Sequence, residues 1–151
     1  MKKIALLGPS DIGYTKRIDN SLKNRNDLCW GWTYTIDRKT QNILNNKDNF
    51  MIYAYESITR GGNGFVTKKY KVDYFKYHDK LTASPKSCYV IDRGRFEKCR
   101  GWFHLLDMQH LKPIREWEDF RSYGSGEQVK PINKSGKYLP NVPWEVVIDE
   151  F

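Results

Sequence analysis

The run Phe50-Met51-Ile52-Tyr53-Ala54-Tyr55 is apolar and aromatic throughout, with no polar break. A short, dense run of this composition reads as a central strand, and a central strand obliges the rest of the chain to cover it. Gly64–Tyr74 alternates loosely through Phe65, Val66, Tyr70, Val72 and Tyr74 and is expected to pair with it, with Glu56–Asn63 as the loop between them. Lys2–Leu7 is a second buried strand, ended by a turn at Gly8-Pro9. Ser10 or Asp11 then caps a helix in which Tyr14, Ile18 and Leu22 recur on one face, and this helix carries Lys16, Arg17 and Lys23. A further helix is expected over Asp37–Asn45, with Asp37 as N-cap. Ser87–Asp92, Trp102–Leu106 and Trp144–Ile148 read as strands, and Pro113 opens a short helix through Trp117 and Phe120. Several short strands with two or three helices predict an α+β fold, a small mixed β-barrel or bent sheet with flanking helices.

The chain has 151 residues, 39% apolar and 15% aromatic, which is material for one core and one globular domain, residues 1–151. No apolar run approaches the roughly 20 residues a bilayer requires, and Ile4–Leu7 is too short for a secretory core, so a cytoplasmic protein without a membrane partner is expected. Cys29, Cys88 and Cys99 form an odd, widely spaced set that does not resemble a disulfide framework; reduced, partly buried thiols are the expectation.

Reacting groups are sparse. Gly8-Pro9-Ser10-Asp11-Ile12-Gly13 lies between a strand and a helix, as a phosphate-binding loop does, but Tyr14 stands where the phosphate-contacting Lys belongs. Cys88, Cys99, His104 and His110 lack the paired spacing that puts two metal ligands on one turn. No Cys/His or Ser/His order marks a nucleophile and its base, so neither catalysis nor a cofactor or metal is expected.

Binding is better supported. Lys plus Arg total 26 against 18 Asp plus Glu, a net charge of +8, which favours a polyanionic partner. Aromatic residues stand among these cations. Trp30 and Trp32 flank Gly31 and, if extended, share a face. With Tyr53, Tyr55 and Trp102 they are candidate walls of a base-binding pocket, since a planar base stacks on rings for about 1–3 kcal/mol each. The spacing of two sets Tyr53 beside Tyr55 and leaves open which of them belongs to the core. Arg38, Arg60, Lys68, Lys69, Arg93 and Arg95 are the candidate backbone contacts.

The order of these segments resembles the EVE domain of the PUA-like superfamily, related in fold to the YTH readers of methylated adenine. The resemblance spans Lys3-Ile4-Ala5-Leu6-Leu7, Trp30-Gly31-Trp32, the helix through Ile43, Lys47-Asp48-Asn49 leading into Phe50-Met51-Ile52-Tyr53, Gly64-Phe65-Val66, and Phe103-His104-Leu105-Leu106-Asp107 with Leu111-Lys112-Pro113-Ile114. It departs where the family continues its Trp-Gly loop with Val-Arg-Asn and this chain has Trp32-Thr33-Tyr34. It implies a PUA-like barrel that accepts a modified base of DNA or RNA in an aromatic pocket. It also implies a place as the specificity module of a modification-dependent restriction or defence system, with a partner protein or additional domain. The alternatives are a protein-docking module that uses exposed aromatics and a nucleotide-binding enzyme built on Gly8–Gly13.

Overall fold

The computed structural model describes residues 3–33, 38–45, 49–56, 62–91, 93–94, 97–116, 119–122, 126–128 and 144–148. In chain order they form β1 (Lys3–Ser10), α1 (Ile12–Leu22), β2 (Cys29–Trp32), α2 (Arg38–Asn45), β3 (Phe50–Glu56), β4 (Val66–Ala83), β5 (Lys98–Arg115), β6 (Arg121–Ser122) and β7 (Trp144–Ile148). The strands make one seven-stranded sheet, β2-β5-β4-β3-β1-β7-β6, mixed in direction and strongly curled into a half-barrel. Parallel β1 and β3 are its centre, with Leu6 opposite Ile52 and Leu7 opposite Tyr53. The expected α+β class and bent sheet hold at this level. No helix among the described residues is long and apolar enough to cross a membrane.

β3 explains why a continuous apolar run was needed. Phe50, Ile52 and Ala54 enter the main core with Leu6, whereas Tyr53 and Tyr55 enter a second cluster with Ala5, Leu7, Val66, Leu111 and Phe120. Alternation along an extended strand sends these two sets to opposite faces. The main core is closed by Tyr14 and Ile18 of α1 and Leu44 of α2. The Asp11 side chain caps α1 by accepting from the Tyr14 N–H at 3.3 Å.

The long hairpin β4–β5 runs well beyond the expected Gly64–Tyr74 and Trp102–Leu106, and its bulges show why. Val72 pairs with Leu105 but Tyr74 pairs with His104, so Asp73 is an extra residue on β4. An extra residue reverses the alternation: Tyr70 and Val72 face the main core before it, Phe75 and Tyr77 after it. Likewise Lys71 pairs with Asp107 and Val72 with Leu105, so Leu106 is the extra residue on β5 at that point, and it is exposed. A period-two reading loses phase at each such point.

Four other expectations are corrected. β1 does not turn at Gly8-Pro9 but runs to Ser10, with Gly8 opposite Ala54 and Pro9 opposite Tyr55. β7 pairs with β1 from Lys3 to Leu7, so Pro9 lies past that ladder, where its missing N–H is tolerated. In the expected strand Ser87–Asp92, residues 87–91 are not a strand: Tyr89 makes an isolated bridge to Leu28, and Val90 and Ile91 are apolar because they plug two different clusters; Asp92 lies outside the described residues. The helix expected to open at Pro113 does not open there: residues 113–115 are the end of β5, with Pro113 in the irregular stretch between His110 and Arg115; Trp117 is outside the described residues, and Asp119 sits in a short 3-10 turn, its N–H donating to the Glu116 carbonyl. Cys29 and Cys88 form a disulfide, 59 residues apart, which overturns the expectation of reduced thiols; Cys99 remains a buried thiol beside them. Wide sequence spacing carried no sign of this pair because folding, not the local chain, brings their Cα atoms to 5.5 Å. The expected N-cap Asp37 lies outside the described residues.

Two glycines make room for indoles. A Cβ on Gly8 would lie 2.6 Å from the Trp32 ring, and one on Gly31 would lie 2.6 Å from Cys99 Sγ and 2.7 Å from Trp102. Gly31→Ala is therefore expected to destabilise the protein by about 1–3 kcal/mol through overpacking. Gly94→Ala, where nothing lies within 4 Å, should leave the urea midpoint unchanged, and equal midpoints for the two variants would refute this packing account.

Candidate functional site

The rings expected to wall a pocket are all inside the protein. Trp30 is 5% exposed, Trp32 and Tyr53 2%, and Tyr55 and Trp102 0%. They are also divided among three clusters. Trp30 and Trp32 share a face, as their spacing implies, but they meet edge to face at 5.4 Å inside the main core, with Tyr70 and Phe103 against them. Tyr53 and Tyr55 occupy the opposite face of the sheet, Tyr53 against Phe120 at 5.2 Å. Trp102 packs with Cys29, Val90 and Cys99, and its Nε1 donates to the Thr82 carbonyl. The five rings form no common cage, because filling three cores already uses their faces.

The expected backbone contacts are dispersed as well. Lys68 is mostly buried and paired with Asp19 of α1 at 2.5 Å, and the Tyr70 hydroxyl donates to the other oxygen of the same carboxylate at 2.9 Å. Burial, with Asp19 beside it, pushes the Tyr70 phenol far above its ordinary range, so it keeps the proton that it donates to Asp19. Arg93 braces a turn, donating to Ser84 Oγ and the Cys88 carbonyl. Lys69 lies opposite Tyr53, on the sheet face away from the helices. Arg38 is exposed at the start of α2; Arg60 and Arg95 lie outside the described residues.

What the fold does assemble is a basic outer surface on its helices. Tyr14 and Ile18 turn inward, so Lys16, Arg17, Asn20, Lys23 and Asn24 are left on the exposed face of α1. α2 exposes Arg38, Lys39, Asn42 and Asn45 and buries Leu44. Both helices cover the same main core and so lie on the same face of the sheet. Asp19 is the one carboxylate in either helix, and Lys68 and Tyr70 hold it against the sheet. Chain positions announced the helix cations, but not that Asp19 turns away from them.

A cleft of about 530 Å³ lies at the Asp73 bulge, lined by Asp27, Asp73 and His104 together with Pro85, Ser87 and Cys88. His104 Nδ1 is 2.6 Å from Asp73 Oδ1 and its Nε2 is 2.7 Å from the Asn26 carbonyl. A carboxylate and a carbonyl only accept, so each ring nitrogen of His104 faces an acceptor. An orienting Asp, a His and a nearby Ser are the parts of an acyl-transfer site, but here both ring nitrogens are already engaged, by Asp73 and by the Asn26 carbonyl. Through these two contacts His104 ties the bulge to the segment before β2. Arg25 donates to Asp27 through two nitrogens and holds its carboxyl below the ordinary carboxylate range. No local motif marked this set, whose members are 31 and 78 residues apart.

Of Gly8–Gly13, the segment with the look of a phosphate loop, Gly8–Ser10 is paired strand rather than loop, and Ile12 and Gly13 open α1 behind the Asp11 cap. No protein-family model, no curated protein and no solved structure matches the chain.

If Trp30 and Trp32 are core residues, truncation acts on folding. Trp30→Ala is expected to cost about 3–5 kcal/mol in chemical denaturation. Unchanged stability in that variant would show the indole to be dispensable for the core and return it to the candidate ligand contacts.

Proposed function

We propose that this protein binds nucleic acid through the outer faces of α1 and α2, without a chemical step of its own. One observation carries the reading: these faces expose Lys16, Arg17, Lys23, Arg38 and Lys39 among asparagines, and the single carboxylate of both helices is turned inward. Cations neutralise phosphates and release their counterions, while amide side chains hydrogen-bond phosphate and sugar oxygens without reading sequence. The net charge of +8 acts in the same direction at longer range.

The EVE-like order of segments supports the same class of partner and adds a narrower reading, selection of a methylated base. That reading requires the Trp30–Trp32 pair to open onto solvent, because a flipped base must reach a ring face. The helix charge pattern by itself calls only for backbone binding, to DNA or RNA.

Fluorescence anisotropy with labelled DNA and RNA, as duplexes and single strands, with and without one methylated adenine or cytosine, tests both levels. Binding is expected to weaken steeply with salt. Lys16→Glu with Lys23→Glu should weaken it further and, if each cation meets one phosphate, flatten the log–log salt slope by about 2. Discrimination between methylated and unmodified oligonucleotides that is lost in a folded Trp32→Phe variant would add the base pocket. Absence of binding to every oligonucleotide would refute the proposal and favour docking to another protein.

A further inference from the structure

We infer that the Cys29–Cys88 disulfide is a reducible latch: a dithiol entering the cleft attacks Cys88, and the segment 84–89 is then released from the β2 edge. This inference is independent of nucleic-acid binding.

The two sulfurs differ in access. Cys29 is 1% exposed in the cluster with Trp102, whereas Cys88 is partly exposed and lines the cleft beside His104. In thiol–disulfide exchange, access decides which sulfur is attacked. One thiolate of the dithiol therefore bonds to Cys88 Sγ, the protein S–S bond breaks, and its electron pair leaves on Cys29 Sγ, which takes a proton. The second thiolate then attacks the dithiol's own sulfur in the mixed disulfide and expels Cys88 as thiolate, which is protonated in turn. The protein gains two electrons and two protons, and the dithiol becomes a disulfide.

The segment so released is otherwise weakly held. Its body is solvent-facing: Lys86, Ser87 and Tyr89 are exposed, and Ser84 and Pro85 half-buried. Its backbone meets the β2 side through two bonds, Cys29 N–H to the Tyr89 carbonyl at 2.9 Å and Tyr89 N–H to the Asp27 carbonyl at 2.8 Å. Around it lie the Arg93 brace and the Arg25 guanidinium over the Tyr89 ring at 3.8 Å. By contrast Val90 and Ile91 are buried in separate clusters, and the Tyr14 hydroxyl donates to the Ile91 carbonyl. These anchors mark where the release stops. Pro85, Ser87 and Cys88 are lining residues of the cleft, so freeing the segment removes part of its wall and widens access to Asp73 and His104.

Cys99 keeps the latch a two-state device. It shares the Cys29 cluster, but burial pushes its thiol up to about 11, so near neutral pH it lacks the thiolate needed to scramble the pair. In a compartment rich in reduced dithiols the latch rests open, and in an oxidising one it rests closed.

The test is a dithiothreitol titration of the native full-length protein purified without reductant, near pH 7. It is read by maleimide labelling before and after denaturation and by hydrogen exchange with mass spectrometry. Expected are loss of the Cys29–Cys88 link, native-state labelling at Cys88, labelling of Cys29 and Cys99 only after denaturation, and at least tenfold faster exchange over residues 84–89. Exchange in β1, β3 and the Val66–Val72 part of β4 should stay unchanged. The C29S/C88S double variant should show the same fast segment without dithiol. A link that survives until circular dichroism is lost, a link that opens without faster exchange, or a pair that stays unlinked after oxidation in air would each overturn the inference.

Discussion

Burial of β3 and β1 on both faces is the constraint from which the rest of the structure follows. A strand with one wet face needs a single covering layer; β3, with Ile52 on one side and Tyr53 on the other, needs two. The amphipathic α1 and α2 close the first side, and Leu111 from the far end of β5 with Phe120 closes the second. For β5 to contribute Phe103 to one cluster and Leu111 to the other, it must be long, bulged and curled. The half-barrel answers that requirement, since each bulge adds twist and lets a strand change the face it presents.

The chemistry of the surface follows from the same arrangement. Because the helices spend their apolar stripes on the main core, their outer faces are left to Lys, Arg and Asn, and the Lys68–Asp19–Tyr70 cluster joins α1 to β4 through the one acidic residue that would have weakened the field of those faces. A partly buried pair of this sort is weak grounds for extra stability. Its visible effect is orientation: it takes a carboxylate off a cationic surface. Just past Tyr70 on β4 the extra residue, Asp73, becomes the partner of His104, so the bulge that spoils the strand's alternation also creates the polar floor of the cleft.

Much of the architecture was legible from residue order. The central strand at Phe50–Tyr55, its antiparallel neighbour, the Asp11-capped helix with Tyr14 and Ile18 inward, and the last strand at Trp144–Ile148 all follow from local period and capping, and the structure has each of them. Errors fell where local signals served a distant purpose. Val90 and Ile91 are apolar to fill cores rather than to form a strand, and Gly8 is small to admit Trp32 rather than to make a turn. The candidate pocket was less legible than the fold, because a tryptophan beside a glycine has the same sequence signature whether the glycine opens a ligand site or, as at Gly31, leaves space for Trp102 and Cys99.

The sequence by itself determined the α+β character, the cationic balance and which residues of α1 point inward, since these depend on local pattern, helical period and charge that neighbours in the chain already carry. Only the tertiary structure decided that the five aromatic candidates lie in three separate cores, that Asp19 turns away from the helix cations, and that Cys29 meets Cys88. Those outcomes depend on bulges and strand order, which bring together residues 49 to 59 positions apart or set neighbours on opposite faces of one sheet, and no period within a single segment encodes them.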